Sequence, residues 1–413
     1  MRGVIWLVLL FAVAVVAATT LGSNDGLVTV YWSGWRTDMS LNLAVIMLFA
    51  ACLVLMSAVK AIDSLISLPK RAGEWRALRH ERAAQAALRE AQTEYASARY
   101  GRASKAAQRA LTLQSETPQL APDAEFRMVA QLLAAASLHR LQDRGKRDEM
   151  LRQALSTGRR GARGSDEAAR LLATEWALDD RDAARALQML EGLPPGAARR
   201  TQALRLRLQA TRMARQPLDA LHTAHLLANH QAFSAAVAQS LLRALAGEAL
   251  EAAHDIQQLR RLWNQFDAVD RRDAVVAARA AARAVQLGAA EDARLWLRPF
   301  WDRLSELARE DRETVALALI DSRGGIGGDW LLRLESAAQS FGHEGAVVAA
   351  VGMVFAERKL WGKARKLLEQ AAASPTLPSR TRRVAWRQLA ALAREESDEV
   401  RAVTCERSAA LLD

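Results

Sequence analysis

Cysteine, proline and aromatic residues are scarce in this 413-residue chain: Cys occurs twice, Pro 9 times, and Phe, Trp and Tyr together make up 5%. The two cysteines, Cys52 and Cys405, build no disulfide framework and have no metal-ligand spacing. With 9 Pro and 22 Gly, helix breakers are rare. Acidic residues are also in deficit, 46 Asp and Glu against 57 Lys and Arg, for a net charge of +11. Recognisable chemistry is missing as well. There is no nucleophile elbow, no carboxylate pair in a catalytic setting and no dinucleotide fingerprint. The chain reads as a non-enzyme with no cofactor and no metal. Nucleic acid is not an expected partner, because the aromatics are not interleaved with the basic clusters.

What is present is mostly helical material. Hydrophobic residues make up 51%, largely Ala and Leu, a composition for helices in close contact. Two runs without Asp, Glu, Lys or Arg, Val4–Leu21 and Leu41–Val59, stand at the start. Each would span roughly 27–28 Å as a helix, close to the hydrocarbon thickness of a bilayer. The segment Gly22–Ser40 leaves room for a tight polar connection, so the expectation is a transmembrane helical hairpin. The competing reading of the first run is a cleaved signal peptide, with Ala17-Ala18-Thr19-Thr20 as its small-residue tail. Lys60, Lys70, Arg71, Arg76, Arg79 and Arg82 follow the second run, while the loop carries Arg36 against Asp25 and Asp38. The positive-inside rule then places both termini in the cytoplasm. Tyr31, Trp32 and Trp35 suit the outer membrane–water interface.

Lys60–Leu68 reads as a short extension, and Pro69 marks the exit from the membrane part. Arg71–Tyr100 then reads as a long helix, followed by helix pairs punctuated at Ser115–Pro122, Gly158–Ser165, Gly192–Gly196, Ser322–Asp329 and Ala373–Ser379. No segment alternates long enough to predict a strand, so the fold class is all-α. The expected domains are 1–68 (membrane hairpin), 69–112 (helical region with a first hairpin) and 113–413 (repeat array). Small residues recur at fixed offsets in three triples: Ala91, Ala103, Ala110; Gly352, Ala364, Ala371; and Ala390, Ala402, Ala409. Tyr100-Gly101 and Leu360-Trp361-Gly362 stand at the intervening turns. Weaker copies are Leu171, Ala183, Leu190 and Ala281, Ala293, Phe300. This is the spacing of the tetratricopeptide repeat, in which small residues let paired helices approach, and it predicts an α-solenoid.

Other constellations carry less. His222, His225 and His230 share one helical stretch with Asp219 and are haem or metal candidates, against a packed helix as the plain reading. Gly324–Gly328 lacks the strand and the Lys-Ser/Thr of a phosphate loop and reads as a mobile connection. Trp176, Trp263, Trp296, Trp301, Trp330 and Trp386 read as core anchors, and much of the arginine as solvated surface.

The segment Gly22-Ser23-Asn24-Asp25-Gly26-Leu27-Val28-Thr29-Val30-Tyr31-Trp32, followed by Trp35-Arg36-Thr37-Asp38-Met39-Ser40-Leu41-Asn42 between two apolar runs, resembles the signature of HemY-type proteins. The basic exit Leu68–Arg71 and the repeats behind it agree. These are inner-membrane proteins encoded in proteobacterial haem-biosynthesis operons, distinct from the flavin-dependent protoporphyrinogen oxidase of the same name. The resemblance implies a multi-pass inner-membrane scaffold whose partners are membrane lipid and enzymes of late protohaem synthesis. A haem or porphyrin carrier, or a general membrane-surface adaptor, are the competing expectations.

Overall fold

A computed structural model of the chain describes residue 13, residues 26–158 and residues 163–412. The first apolar run, Val4–Leu21, lies outside the described residues apart from Val13. The chain divides into two compact units, Met1–Arg160 and Gly161–Asp413.

The first unit opens on two strands, where the sequence predicts none. Strands β1 (Leu27–Trp32) and β2 (Trp35–Ser40) pair antiparallel, with Trp32 opposite Trp35 and Leu27 opposite Ser40. Ser33 (φ 41°) and Gly34 (φ 86°) both adopt positive φ, the backbone of a two-residue type I′ hairpin turn. The polar loop is therefore a hairpin, built by the β-formers Val28, Val30, Tyr31 and Trp32 around a Ser-Gly turn.

Helix α1 (Leu41–Ala96) follows without a linker, as one element of 56 residues, about 84 Å long. Ser40 caps it, accepting from the Leu43 amide, and the Leu41 amide donates to the Gly26 carbonyl at 2.8 Å. The helix continues through Pro69, so apolar run and basic extension form a single rod. Its distal part carries a stripe at helical spacing, Ala77, Glu81, Ala84, Leu88, Ala91 and Tyr95, that is buried or half-buried. Against it pack α2 (Tyr100–Glu116) and α3 (Ala124–Arg140), and α4 (Arg144–Gly158) packs on α3. Ala91, Ala106, Ala107 and Ala134 form the contact, small enough for close backbone approach. Gln114 is buried in the α2–α3 connection, donating to the Leu120 and Asp123 carbonyls at 3.1 and 2.7 Å.

The second unit is wholly helical among its described residues. In chain order its helices are α5 (Arg163–Asp179), α6 (Ala183–Glu191), α7 (Pro195–Ala198), α8 (Thr201–Met213), α9 (Pro217–Asn229), α10 (Ala235–Glu251), α11 (Ile256–Gln265), α12 (Ala268–Arg271), α13 (Ala274–Gln286), α14 (Ala290–Trp301), α15 (Arg309–Asp321), α16 (Leu331–Ser340), α17 (Gly345–Glu357), α18 (Trp361–Ala373), α19 (Ser379–Glu395) and α20 (Glu399–Ala410). Helices α5, α8, α10, α13, α15, α17 and α19 begin 34–39 residues apart. Most pack on the helix that follows them, and α10, α13, α15, α17 and α19 also pack on one another in sequence. Helix α17 is buried all round, from Ala346 through Ala356, and belongs to a continuous core that runs from Leu204 to Cys405.

Eight helix–helix connections share one geometry. Ala98, Gln142, Arg181, Arg215, Gln231, Gly288, Lys359 and Ser397 all have φ between 53° and 76°. At each, the amide of the next residue bonds five residues back and its own amide bonds three back, as in Leu360 N to Phe355 O (2.8 Å) and Lys359 N to Ala356 O (2.9 Å). This is the Schellman cap, which closes the orphan carbonyls of a helix end. Gly288 alone of the eight is glycine, so seven turns hold a side chain where left-handed backbone costs roughly 1–2 kcal/mol. Lys359→Gly is therefore expected to raise thermal stability and Gly288→Ala to lower it, each by about 1 kcal/mol. Melting of the two variants beside the parent chain, followed by circular dichroism, checks the opposite signs. Three of these turns continue into an Asp that caps the next helix, at Asp143, Asp182 and Asp398.

Arginine binds one helix pair to the next. Arg243 reaches Asp273 and Arg260 reaches Asp292, each at 2.8 Å, and Arg312 reaches Glu344 at 2.6 Å. Arg283 donates to the Ala253 carbonyl at 2.7 Å and Arg294 to the Ser322 carbonyl at 2.8 Å. The partners in these five contacts are 28–32 residues apart in sequence, close to one helix pair. These five arginines are thus structural, joining one helix pair to the next.

Candidate functional site

Three features can carry function: an exposed apolar helix, a histidine set between acidic groups, and grooves along the second unit. The first is the proximal part of α1. Leu41–Ile62 is long and apolar enough to cross a membrane, and no part of its apolar window is buried within the protein. Leu48, Phe49, Val54 and Leu55 are each 66–70% exposed. At about 1.5 Å per residue it covers roughly 33 Å. An apolar rod of this length left bare by its own protein fits lipid, not water. Among the described residues it is the one such helix.

The second feature gathers His225 on α9 with Asp267 and Asp270 at α12. Asp270 is 96% buried, and both its oxygens lie at 2.9 and 2.8 Å from His225 Nε2. That nitrogen donates into the carboxylate fork. With Nε2 engaged by both carboxylate oxygens, the pair as placed is a hydrogen-bonded ion pair when the imidazole is protonated. The hydrogen bond to Asp270 holds the His225 imidazole above its ordinary pKa of 6.5, against the opposing effect of burial. A raised folded-state pKa stabilises the fold below the unfolded value near 6.5 and stops doing so as pH climbs through the folded value. Asp270→Asn is therefore expected to destabilise the protein most below pH 6.5, with the deficit shrinking above neutrality. Melting temperatures of both proteins from pH 5.5 to 8.5 check this, and a deficit that grew with pH would contradict it.

The three histidine candidates do not form one ligand set. His225 is committed to Asp270. His222 is exposed in a groove of about 370 Å³ with Asp219, Arg207 and Glu191. His230 is exposed at the end of α9. Asp270 stands 45 residues from His225, on a different element, so no local sequence pattern links the two.

The small-residue positions are all interior. Ala91, Ala103, Ala110, Ala364 and Ala371 are fully buried, and Ala390, Ala402 and Ala409 are 1–3% exposed. Gly352 lies in the packed face of α17. Ala281, Ala293, Phe300 and Leu190 are also buried, whereas Leu171 and Ala183 are half-buried. Trp176, Trp263, Trp296, Trp301 and Trp330 are buried, with Trp263 stacked on Trp296 at 5.0 Å, and Trp386 is half-buried against the core. The glycine stretch is pinned: Ile326 is 2% exposed, and Arg294 holds the Gly324 carbonyl at 2.6 Å.

A groove of about 470 Å³ opens between the end of α14 and α16. Trp301, Leu304, Leu332 and Phe341 supply apolar wall, and Ser305, Ser336 and Ser340 supply hydroxyls. Leu332 is 80% exposed, and the Trp301 indole N–H is buried without an acceptor. Arg333 and Asp302 pair in the same wall. An apolar floor with adaptable hydroxyls and a charge pair suits a polypeptide more than a small polar metabolite.

No curated protein matches this chain. Residues 26–142 match the family described as the HemY protein N-terminus, a stretch that takes in the β-hairpin, α1, α2 and α3. The chain therefore carries the HemY-type N-terminal region on an otherwise all-α protein.

Proposed function

We propose that this protein is a membrane-anchored helical-repeat scaffold in haem biosynthesis, which gathers late-pathway enzymes by protein–protein contact and catalyses nothing itself. The HemY-type match across residues 26–142 carries the haem association. The bare apolar stretch Leu41–Ile62 supports anchorage in the inner membrane. Two spans with both termini cytoplasmic fit the cations that follow that stretch. The recurring turns, the helix pairs beginning 34–39 residues apart and the buried small-residue triples support a tetratricopeptide-like solenoid. In such an array each pair buries its face on its neighbours and leaves grooves that grip other chains. Porphyrins are poorly soluble and photoreactive, so holding successive enzymes close shortens their exposure.

The test is in-cell photocrosslinking from the groove. A photoreactive amino acid at Leu332 or Ser336 should capture enzymes of protohaem synthesis, while the same group at exposed Val269, outside that groove, should not. Capture of no haem enzyme from either groove position would overturn the scaffold reading.

A further inference from the structure

The hairpin before the membrane helix is two-faced. Side chains directly opposite in an antiparallel pair share a face, and successive residues alternate. Val28, Val30, Trp32, Trp35, Thr37 and Met39 therefore form one face, and Leu27, Thr29, Tyr31, Arg36, Asp38 and Ser40 the other. Both charges of the hairpin fall on the second face, where Arg36 pairs with Asp38 at 3.3 Å and sits 6.0 Å from the Tyr31 ring. The first face carries no charge, yet Trp32 and Trp35 are 79% and 80% exposed and Val30 is 42% exposed. A two-stranded hairpin is marginal alone in water, and this one has no described protein layer over its apolar face.

We infer that this face lies flat on the outer surface of the bilayer, with Trp32 and Trp35 seated at headgroup level. The inference rests on the membrane placement of Leu41–Ile62. Continuity is its main support: Ser40 is at once the last strand residue and the cap of α1, and the Leu41–Gly26 hydrogen bond ties the hairpin base to the first helical turn. The hairpin thus starts where the apolar rod leaves the lipid. Charge segregation is the second support, since an uncharged face with paired Trp fits the interface while Arg36 and Asp38 keep to water. Lying down, the hairpin would fix the depth and rotation of the helix below it. Standing upright, it would carry the Trp pair about 20 Å from the headgroups.

The test uses the full chain in liposomes of phosphatidylethanolamine and phosphatidylglycerol, in a Cys52→Ala/Cys405→Ala background. Nitroxide labels are placed singly at Val30→Cys and Met39→Cys on the apolar face, at Thr29→Cys on the charged face and at Phe49→Cys in the helix. Relaxation by oxygen, which partitions into lipid, is compared with relaxation by a water-soluble nickel chelate. The expected result is oxygen dominance at 30, 39 and 49 and nickel dominance at 29. Nickel dominance at 30 and 39 with oxygen dominance at 49 would overturn the inference and leave the anchor standing. Shielding from both reagents at 30 and 39 would overturn it in favour of a protein cover. Nickel dominance at 49 would remove the anchor and the inference with it.

Discussion

Gly352→Leu is expected to destabilise the second unit by about 3 kcal/mol, whereas Gly352→Ala should stay within about 1 kcal/mol of the parent. Gly352 faces α18 across the close crossing of α17 and α18. A Cβ there would stand 3.1 Å from Leu367 Cβ, 3.2 Å from the Leu368 backbone N and 3.3 Å from Leu368 Cδ2. One methyl group forces a shift of a few tenths of an ångström, offset by the roughly 1 kcal/mol that alanine gains over glycine in a helix interior. An isobutyl group has nowhere to go, because α17 is buried all round and Leu368 and Ala364 behind the crossing are fully buried. Thermal melts of the three proteins in the same detergent decide it, and a leucine variant as stable as the parent would show that the crossing is loose.

The second large effect is expected at Glu344, which is 6% exposed. Arg312 Nε lies 3.1 Å from each of its carboxylate oxygens, and Nη2 lies 2.6 Å from Oε1. The hydrogen bonds to Glu344 raise the Arg312 pKa, and the guanidinium sits 4.7 Å from the centre of the Phe341 ring. Glu344→Ala leaves that cation, 15% exposed, without its hydrogen-bonded counter-charge, a loss of about 3 kcal/mol. Arg312→Met alone strands the carboxylate and should cost a similar amount. The double variant removes both charges and should be more stable than either single one. A double variant whose loss equals the sum of the singles would mean that the pair is not coupled.

The all-α class was legible because Ala- and Leu-rich segments with few breakers have one good way to bury their apolar faces. Ala103, Ala364 and Ala371, which the spacing singles out, are fully buried in the structure. The β-hairpin was not. Its strands are six residues each, and the apolar alternation of Val28, Val30 and Trp32 is paired with a strand containing Arg36, Thr37 and Asp38. The turn signal was Ser33-Gly34 with Trp on either side. The Schellman turns were hidden because seven of the eight left-handed residues are not glycine. A proline inside a helix usually breaks it, yet α1 runs through Pro69. His225–Asp270 and Arg312–Glu344 join elements far apart in sequence, and no local pattern records such pairs.

Anchorage and haem association together form the central claim, and porphyrin profiling of a deletion strain tests both at once. The strain should accumulate porphyrin intermediates. The full chain should restore the parental profile, and the same chain without residues 1–62 should not, although it keeps every helix of the second unit. An unchanged profile on deletion, or full rescue by the truncated chain, would contradict the account.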